Sequence, residues 1–171
     1  MPGREHRGQA AASVGCAVLT VSDTRTEETD ESGRLIGARL RAAGHRVVVY
    51  RIVPDEPAEV RALLEELCAV DAVRAVCLSG GTGLAPRDTT YEAVAGLLDK
   101  RLDGFGELFR YLSFERIGAA AMLSRATAGV RGSTIIFSIP GSTDAVELAM
   151  DRLILPELGH IVALLSQRSE T

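Results

Sequence analysis

At 171 residues with a formal charge of −4, the chain suits one domain, burying about 70% of the surface its unfolded form exposes, so disulfides are not needed. The acidic balance and only seven aromatic residues exclude a nucleic-acid surface as the main role, and no apolar run approaches membrane-spanning length. Cys16, Cys68 and Cys77 are an odd set with no C-x-x-C pair, each in an apolar segment, which predicts buried reduced thiols and a cytoplasmic home.

Residues 1–12 are polar and lack the apolar core of a secretion signal; they read as a disordered tail. A single α/β domain over residues 13–166 follows, and 167–171 form a polar end. Residues 14–21 are almost continuously apolar, as in a strand covered on both faces, and stop at Ser22 and Asp23. Ligands collect at the carboxyl ends of strands in an open α/β sheet, so both are site candidates; turn chemistry is the alternative. Residues 24–31 carry four acidic side chains and predict a mobile, solvated loop that could act as a lid. Ser32 then precedes a helix with Leu35, Ile36, Leu40 and Ala43 on one side and Gly44 as its stop. Residues 45–53 predict the next strand, with His45 at the surface. Asp55, in the break Pro54-Asp55-Glu56-Pro57, either caps the next helix or serves a site. That helix begins near Pro57 and carries Val60, Leu63, Leu64 and Leu67 at helical spacing.

A short apolar run at residues 74–78 ends in Ser79-Gly80-Gly81-Thr82-Gly83, with Asp88 five residues on. Glycines let the backbone aim N–H groups outward, so this corner can cradle a phosphate; an ordinary tight turn, with Asp88 as a helix cap, is the alternative. It is neither a Walker loop nor a Gly-x-Gly-x-x-Gly fingerprint. A helix starts at Thr89 or Thr90 and reaches Leu98. Residues 99–114 hold most of the aromatics, with Glu107 and Arg110 spaced to pair on a helix, and the alanines of 118–128 predict a close-packed helix. A strand at 134–139 leads to Pro140-Gly141-Ser142, where Ser142 either caps a helix at 143–155 or binds an anionic group. Pro156 separates a final helix ending near Ser166. Strands alternating with helices predict a three-layer α/β fold, mostly parallel, with four loops at one sheet edge.

Six segments, in this order, resemble the MoaB/MogA family of molybdenum-cofactor biosynthesis proteins, which includes the G domain of gephyrin. They are Leu19-Thr20-Val21-Ser22-Asp23, Val53-Pro54-Asp55-Glu56, Gly80 through Asp88, Gly104-Phe105-Gly106-Glu107, Leu123-Ser124-Arg125 and Pro140-Gly141-Ser142. The resemblance implies a three-layer αβα molybdopterin-binding fold. Active members of the family are adenylyltransferases that use ATP and Mg²⁺ to join AMP to the terminal phosphate of molybdopterin, releasing pyrophosphate.

By the same resemblance Asp55 and Asp88 are the catalytic aspartates and the Mg²⁺ ligands. Gly80, Gly81, Thr82 and Gly83 hold phosphate or pterin, and Ser124 lies near molybdopterin. Ser22, Asp23, Pro140, Gly141 and Ser142 complete the nucleotide side. A homotrimer or hexamer and hand-off to a molybdenum-insertion enzyme are implied as well. The alternative is a non-catalytic molybdopterin carrier or scaffold, against which the presence of both aspartates speaks. Many relatives carry Pro at the positions of Tyr91 and Thr143, departures expected to alter helix entry rather than chemistry.

Overall fold

The computed structural model describes residues 10–167; of the tails expected at 1–12 and 167–171, residues 1–9 and 168–171 lie outside the described residues. The strands are β1 (Gly15–Val21), β2 (Arg46–Val53), β3 (Ala75–Ser79), β4 (Lys100–Arg101), β5 (Thr127–Arg131) and β6 (Thr134–Ile139). The helices are α1 (Glu31–Ala42), α2 (Pro57–Cys68), α3 (Thr90–Ala95), α4 (Asp103–Ile117), α5 (Thr143–Ala149) and α6 (Leu155–Ser166). They form one sheet in the order β2-β1-β3-β6-β5-β4. The first four strands in that order run parallel, and β5 and β4 each run antiparallel to the preceding neighbour. The carboxyl ends of β1, β2, β3 and β6 therefore meet along one edge, the edge expected to hold the site.

Two cores sandwich the sheet. On one face Cys16, Val18, Cys77 and Phe137 pack against Ile36 and Leu40 of α1, Phe109 of α4, and the α5–α6 segment. On the other, Leu19, Val76, Leu78 and Ile136 pack against Val60 and Leu64 of α2 and Val94 of α3. Successive residues of one strand serve opposite cores, which is why β1 and β3 read as unbroken apolar runs. The three cysteines are free: Cys16 and Cys77 are buried as expected, with burial pushing the Cys16 thiol up to about 12, but Cys68, at the end of α2, is only half-buried. Among the described residues, no helix is long and apolar enough to cross a membrane.

Several local expectations need correction. Residues 118–128 are not one helix: a 3₁₀ turn at Gly118–Leu123 leads into β5, because Thr127–Arg131 finds ladder partners on β6. The alanines instead line a short turn that follows a positive-φ Gly118. Arg110 does not pair with Glu107; its Nη1 donates to the carbonyls of Ala126 at 3.0 Å and Ser124 at 3.4 Å, tying α4 to the entry of β5. Pro156 does not divide the last two helices, since a wider π turn at Met150–Ile154 carries α5 into α6 and places Pro156 in the first turn of α6, where its missing N–H does least harm.

α3 stops at Ala95 rather than Leu98, with Gly96 as its cap. His45 is half-buried, and its Nδ1 accepts the Val14 N–H at 3.1 Å; burial lowers its pKa. α1 is capped by Asp30 through the Gly33 N–H, so the helix begins before Ser32 and one carboxylate of the acidic segment, Asp30, is buried. Ala11, within the stretch expected as tail, donates its N–H to the Gly159 carbonyl of α6 at 3.0 Å.

Candidate functional site

The corner after β3 is built by two glycines that no other residue could replace. Gly80 and Gly81 have φ of +105° and +67°. A Cβ on Gly80 would strike the Val21 carbonyl, and one on Gly81 would strike Thr90 Oγ1. The turn leaves the N–H groups of Gly81, Thr82 and Gly83 without a partner among the described residues, whereas Gly80 donates to the Ile139 carbonyl at 3.0 Å. Three adjacent unpaired donors at the end of a buried strand are suited to an anion. Thr90 Oγ1, buried beside Gly81, also lacks a partner.

Asp55 and Asp88 flank this row. Asp55 does not cap α2, whose N-cap Glu56 makes no side-chain bond. Its Oδ1 instead accepts from Thr89 Oγ1 at 3.0 Å, while Oδ2 lies 3.0 Å from the point a Gly81 Cβ would occupy and has no partner. Asp88 does not cap α3 either. Its Oδ2 accepts the Ala85 N–H at 3.1 Å, closing the turn beside Gly83, and its Oδ1 is unpaired. Two half-buried carboxylates with one open oxygen each fit Mg²⁺, which takes one or two carboxylates and completes its shell with water and phosphate. No cluster of three or more His, Cys, Asp or Glu exists among the described residues, so a fully protein-coordinated metal is not built here.

Asp23 has a different position. Arg87 grips it with Nε at 2.8 Å and Nη2 at 3.1 Å, and also reaches Glu56 Oε1 at 3.0 Å. The Arg87 bonds, helped by the Asp55 N–H, hold the Asp23 carboxyl below its usual range. This clamp joins the loops after β1, β2 and β3, and it occupies both Asp23 oxygens. Ser22 serves the turn: its Oγ accepts the N–H groups of Thr24 and Arg25 at 3.2 and 3.0 Å.

The Pro140-Gly141-Ser142 corner adjoins the glycine corner, with a Cβ on Gly141 placed 3.4 Å from Gly80 Cα. Ser142 Oγ caps α5 through the Ala145 N–H at 3.2 Å, and half-buried Pro140 offers no polar side chain. Ser124 lines a pocket of about 360 Å³ together with Tyr91, Arg101, Arg110 and Arg125.

Arg125 joins that pocket to the corner. Its Nε donates to the Gly83 carbonyl at 3.1 Å and its Nη2 to the Asp88 carbonyl at 2.7 Å, while Nη1 pairs with Glu92 and pulls the Glu92 carboxyl below its ordinary value. Tyr91 is more than a helix-entry residue. The guanidiniums of Arg125 and Arg101 lie 5.2 and 5.7 Å from its ring centre, and Arg101 donates to its hydroxyl at 2.8 Å. Sequence reasoning quoted Arg87 and Arg125 inside motifs without assigning them. Nothing in the linear spacing signals that Tyr91, Arg101 and Arg110 converge.

Similarity to known proteins identifies the family of the chain. A family described as a probable molybdopterin binding domain matches residues 17–160. The chain is 55% identical over 159 residues to a molybdenum cofactor biosynthesis protein B of Halalkalibacterium halodurans, covering 92% of this chain and 94% of that one. A crystal structure of molybdenum cofactor biosynthesis protein B superimposes with a TM-score of 0.90 at 50% identity, over 94% of this chain and all of that chain. The tungsten cofactor synthesizing protein MoaB from Pyrococcus furiosus gives 0.81 at 40% identity, over 92% and 100%. With a family match across most of its length and relatives at half identity or better, the chain belongs to the MoaB/MogA family of molybdopterin-binding-domain proteins.

Proposed function

We propose that this chain acts in molybdenum cofactor biosynthesis as a molybdopterin adenylyltransferase. A terminal phosphate oxygen of molybdopterin attacks the α-phosphorus of ATP. A new P–O bond forms, the bond from the α-phosphorus to the oxygen bridging it to the β-phosphate breaks, and pyrophosphate leaves with that electron pair. Because one anion attacks another, the site must screen like charges with fixed donors. The observation that carries the reading is the row of unpaired N–H groups at Gly81, Thr82 and Gly83, bounded by the open carboxylate oxygens of Asp55 and Asp88.

Asp55 Oδ2 and Asp88 Oδ1 would hold Mg²⁺, which when bound neutralises phosphate charge and helps the pyrophosphate depart. The backbone donors of the glycine corner orient the reacting phosphates, and Arg125 keeps that corner fixed through the carbonyls of Gly83 and Asp88. The pocket beside Ser124 takes the pterin end, with Tyr91 and the surrounding guanidiniums as a flat, cationic wall. Ser22, Asp23 and the Pro140-Gly141-Ser142 corner lie on the nucleotide side. The reading includes a cytoplasmic trimer or pair of trimers that delivers product to a metal-insertion enzyme. Exposed Tyr111, Phe114, Ile117, Met122 and Leu123 supply apolar surface for assembly, which sedimentation measures directly.

The test mixes purified protein with molybdopterin, ATP and Mg²⁺ and follows adenylylated molybdopterin and pyrophosphate together. Equal appearance of both is the expected result. Molybdopterin binding without either product would establish the carrier reading instead, and no binding at all would remove both.

A further inference from the structure

Outside the residues already assigned, one buried polar network reaches the site edge. Asp30 is completely buried, although it belongs to the acidic segment after β1. An isolated buried carboxylate is costly, and this one is satisfied by three hydrogen-bond donors and one facing guanidinium. Gly33 N–H donates at 3.0 Å, Thr20 Oγ1 at 2.6 Å and Tyr50 OH at 2.5 Å, and Arg25 Nη1 lies 3.6 Å away. Capping α1 requires only the Gly33 bond. The other three join β1, β2 and the loop before α1 to one point.

Arg25, held from behind by Asp30, donates its Nη2 to the Gly141 carbonyl at 3.1 Å. Ser32 Oγ donates to the same carbonyl at 2.6 Å. A carbonyl that accepts two bonds has both lone pairs engaged and its direction fixed. The peptide joining Gly141 to Ser142 is trans, so the Ser142 N–H points opposite to that carbonyl, away from Arg25 and Ser32. That N–H has no partner among the described residues. The residue before it packs against Gly80 of the glycine corner.

We propose that Arg25 and Ser32, backed by Asp30, are positioning residues that aim the Ser142 N–H at a phosphate of the bound nucleotide. The role rests on the adenylyltransferase reading and deepens it. The row at Gly81–Gly83 and the single donor at Ser142 then approach the triphosphate from two adjoining corners, one fixed by glycine backbone and the other by side chains borrowed from α1 and the loop before it.

The experiment measures dissociation constants for Mg-ATP and, separately, for molybdopterin, in the wild type, Ser32→Ala, Arg25→Gln and Arg25→Lys, together with the KM for each substrate and the melting temperature. Ser32→Ala and Arg25→Gln are each expected to raise the Kd and KM for ATP roughly tenfold, the size of one oriented hydrogen bond, with molybdopterin affinity unchanged; Ser32→Ala keeps the wild-type melting temperature, whereas Arg25→Gln lowers it because the charge facing buried Asp30 is lost. Arg25→Lys, which keeps a donor and the charge, should recover most of the loss. If the wild type binds ATP and the variants bind it equally well, the positioning role is wrong while the enzyme assignment stands. Equal weakening of both ligands with a lowered melting temperature would make the network merely structural. If the wild type fails to bind ATP, the underlying reading falls and this role with it.

Discussion

The two strand-to-helix corners at the carboxyl edge of the sheet contain the same kinds of residue but use their polar atoms in opposite ways. After β3, three successive N–H groups and two carboxylate oxygens are left without partners. After β6, the Ser142 hydroxyl caps its helix and the Gly141 carbonyl takes two donors, leaving one N–H. The first corner presents open donors on a backbone that glycine allows, and the second is a joint held by side chains. Glycine and serine at a corner therefore do not by themselves identify a site; the unpaired polar atoms do.

The sharpest way to break this contrast is Asp88→Asn. The asparagine carbonyl can still accept the Ala85 N–H, so the turn survives, but the charge is lost. Adenylyl transfer should fall roughly a hundredfold or more with the melting temperature unchanged, and undiminished turnover would remove Asp88 from the chemistry. The two glycines offer the next comparison. Gly81→Ala forces a Cβ into Thr90 Oγ1 at positive φ and should cost about 2 kcal/mol in denaturant unfolding. Gly141→Ala meets nothing closer than 3.4 Å and should cost well under half as much. Equal losses would mean that the first corner is not the more tightly constrained of the two.

Asp30→Asn probes the joint. Burial alone would push this carboxyl up, but the bonds from Thr20, Tyr50 and Gly33 and the nearby Arg25 outweigh it and set the pKa below the ordinary value. A depressed folded-state pKa contributes stability above the unfolded value of about 3.9, which is lost as pH falls through the folded one. The variant should be less stable at pH 7 by about 1.5 kcal/mol and should show a shallower loss on acidification. Parallel acid-unfolding curves would contradict that assignment. The smallest effect is expected from Tyr91→Phe. It deletes the Arg101 bond but keeps the ring, so molybdopterin affinity should weaken by roughly threefold and ATP affinity should hold. Calorimetric titration separates the two.

What was legible in the chain follows from how local each feature is. The strands β1, β2, β3 and β6 announce themselves because burial on both faces or one demands apolar runs, and the corners at Gly80–Gly83 and Gly141 stand directly after them. β4 and β5 were hidden. Thr127–Arg131 contains a glycine, follows an alanine-rich stretch, and becomes a strand only through pairing with β6, a tertiary effect. The carboxylates at 55 and 88 could be nominated from position, but capping was excluded only by seeing Thr89 and Ala85 as their donors. Tyr91, Arg101 and Arg125 meet across three elements, and Arg25 reaches Gly141 across 116 positions. No spacing rule could reveal either.

If the carboxylates beside the glycine corner make this fold a transferase, removing one must stop the chemistry without emptying the molybdopterin site. The most direct measurement compares pyrophosphate release by the wild type and Asp55→Asn in a single turnover, with both proteins saturated with molybdopterin and their occupancy verified. Release matched to adenylylated molybdopterin is expected in the wild type, with a loss of roughly a hundredfold in the variant at equal occupancy. Equal rates, or full occupancy with no release from the wild type, would contradict it.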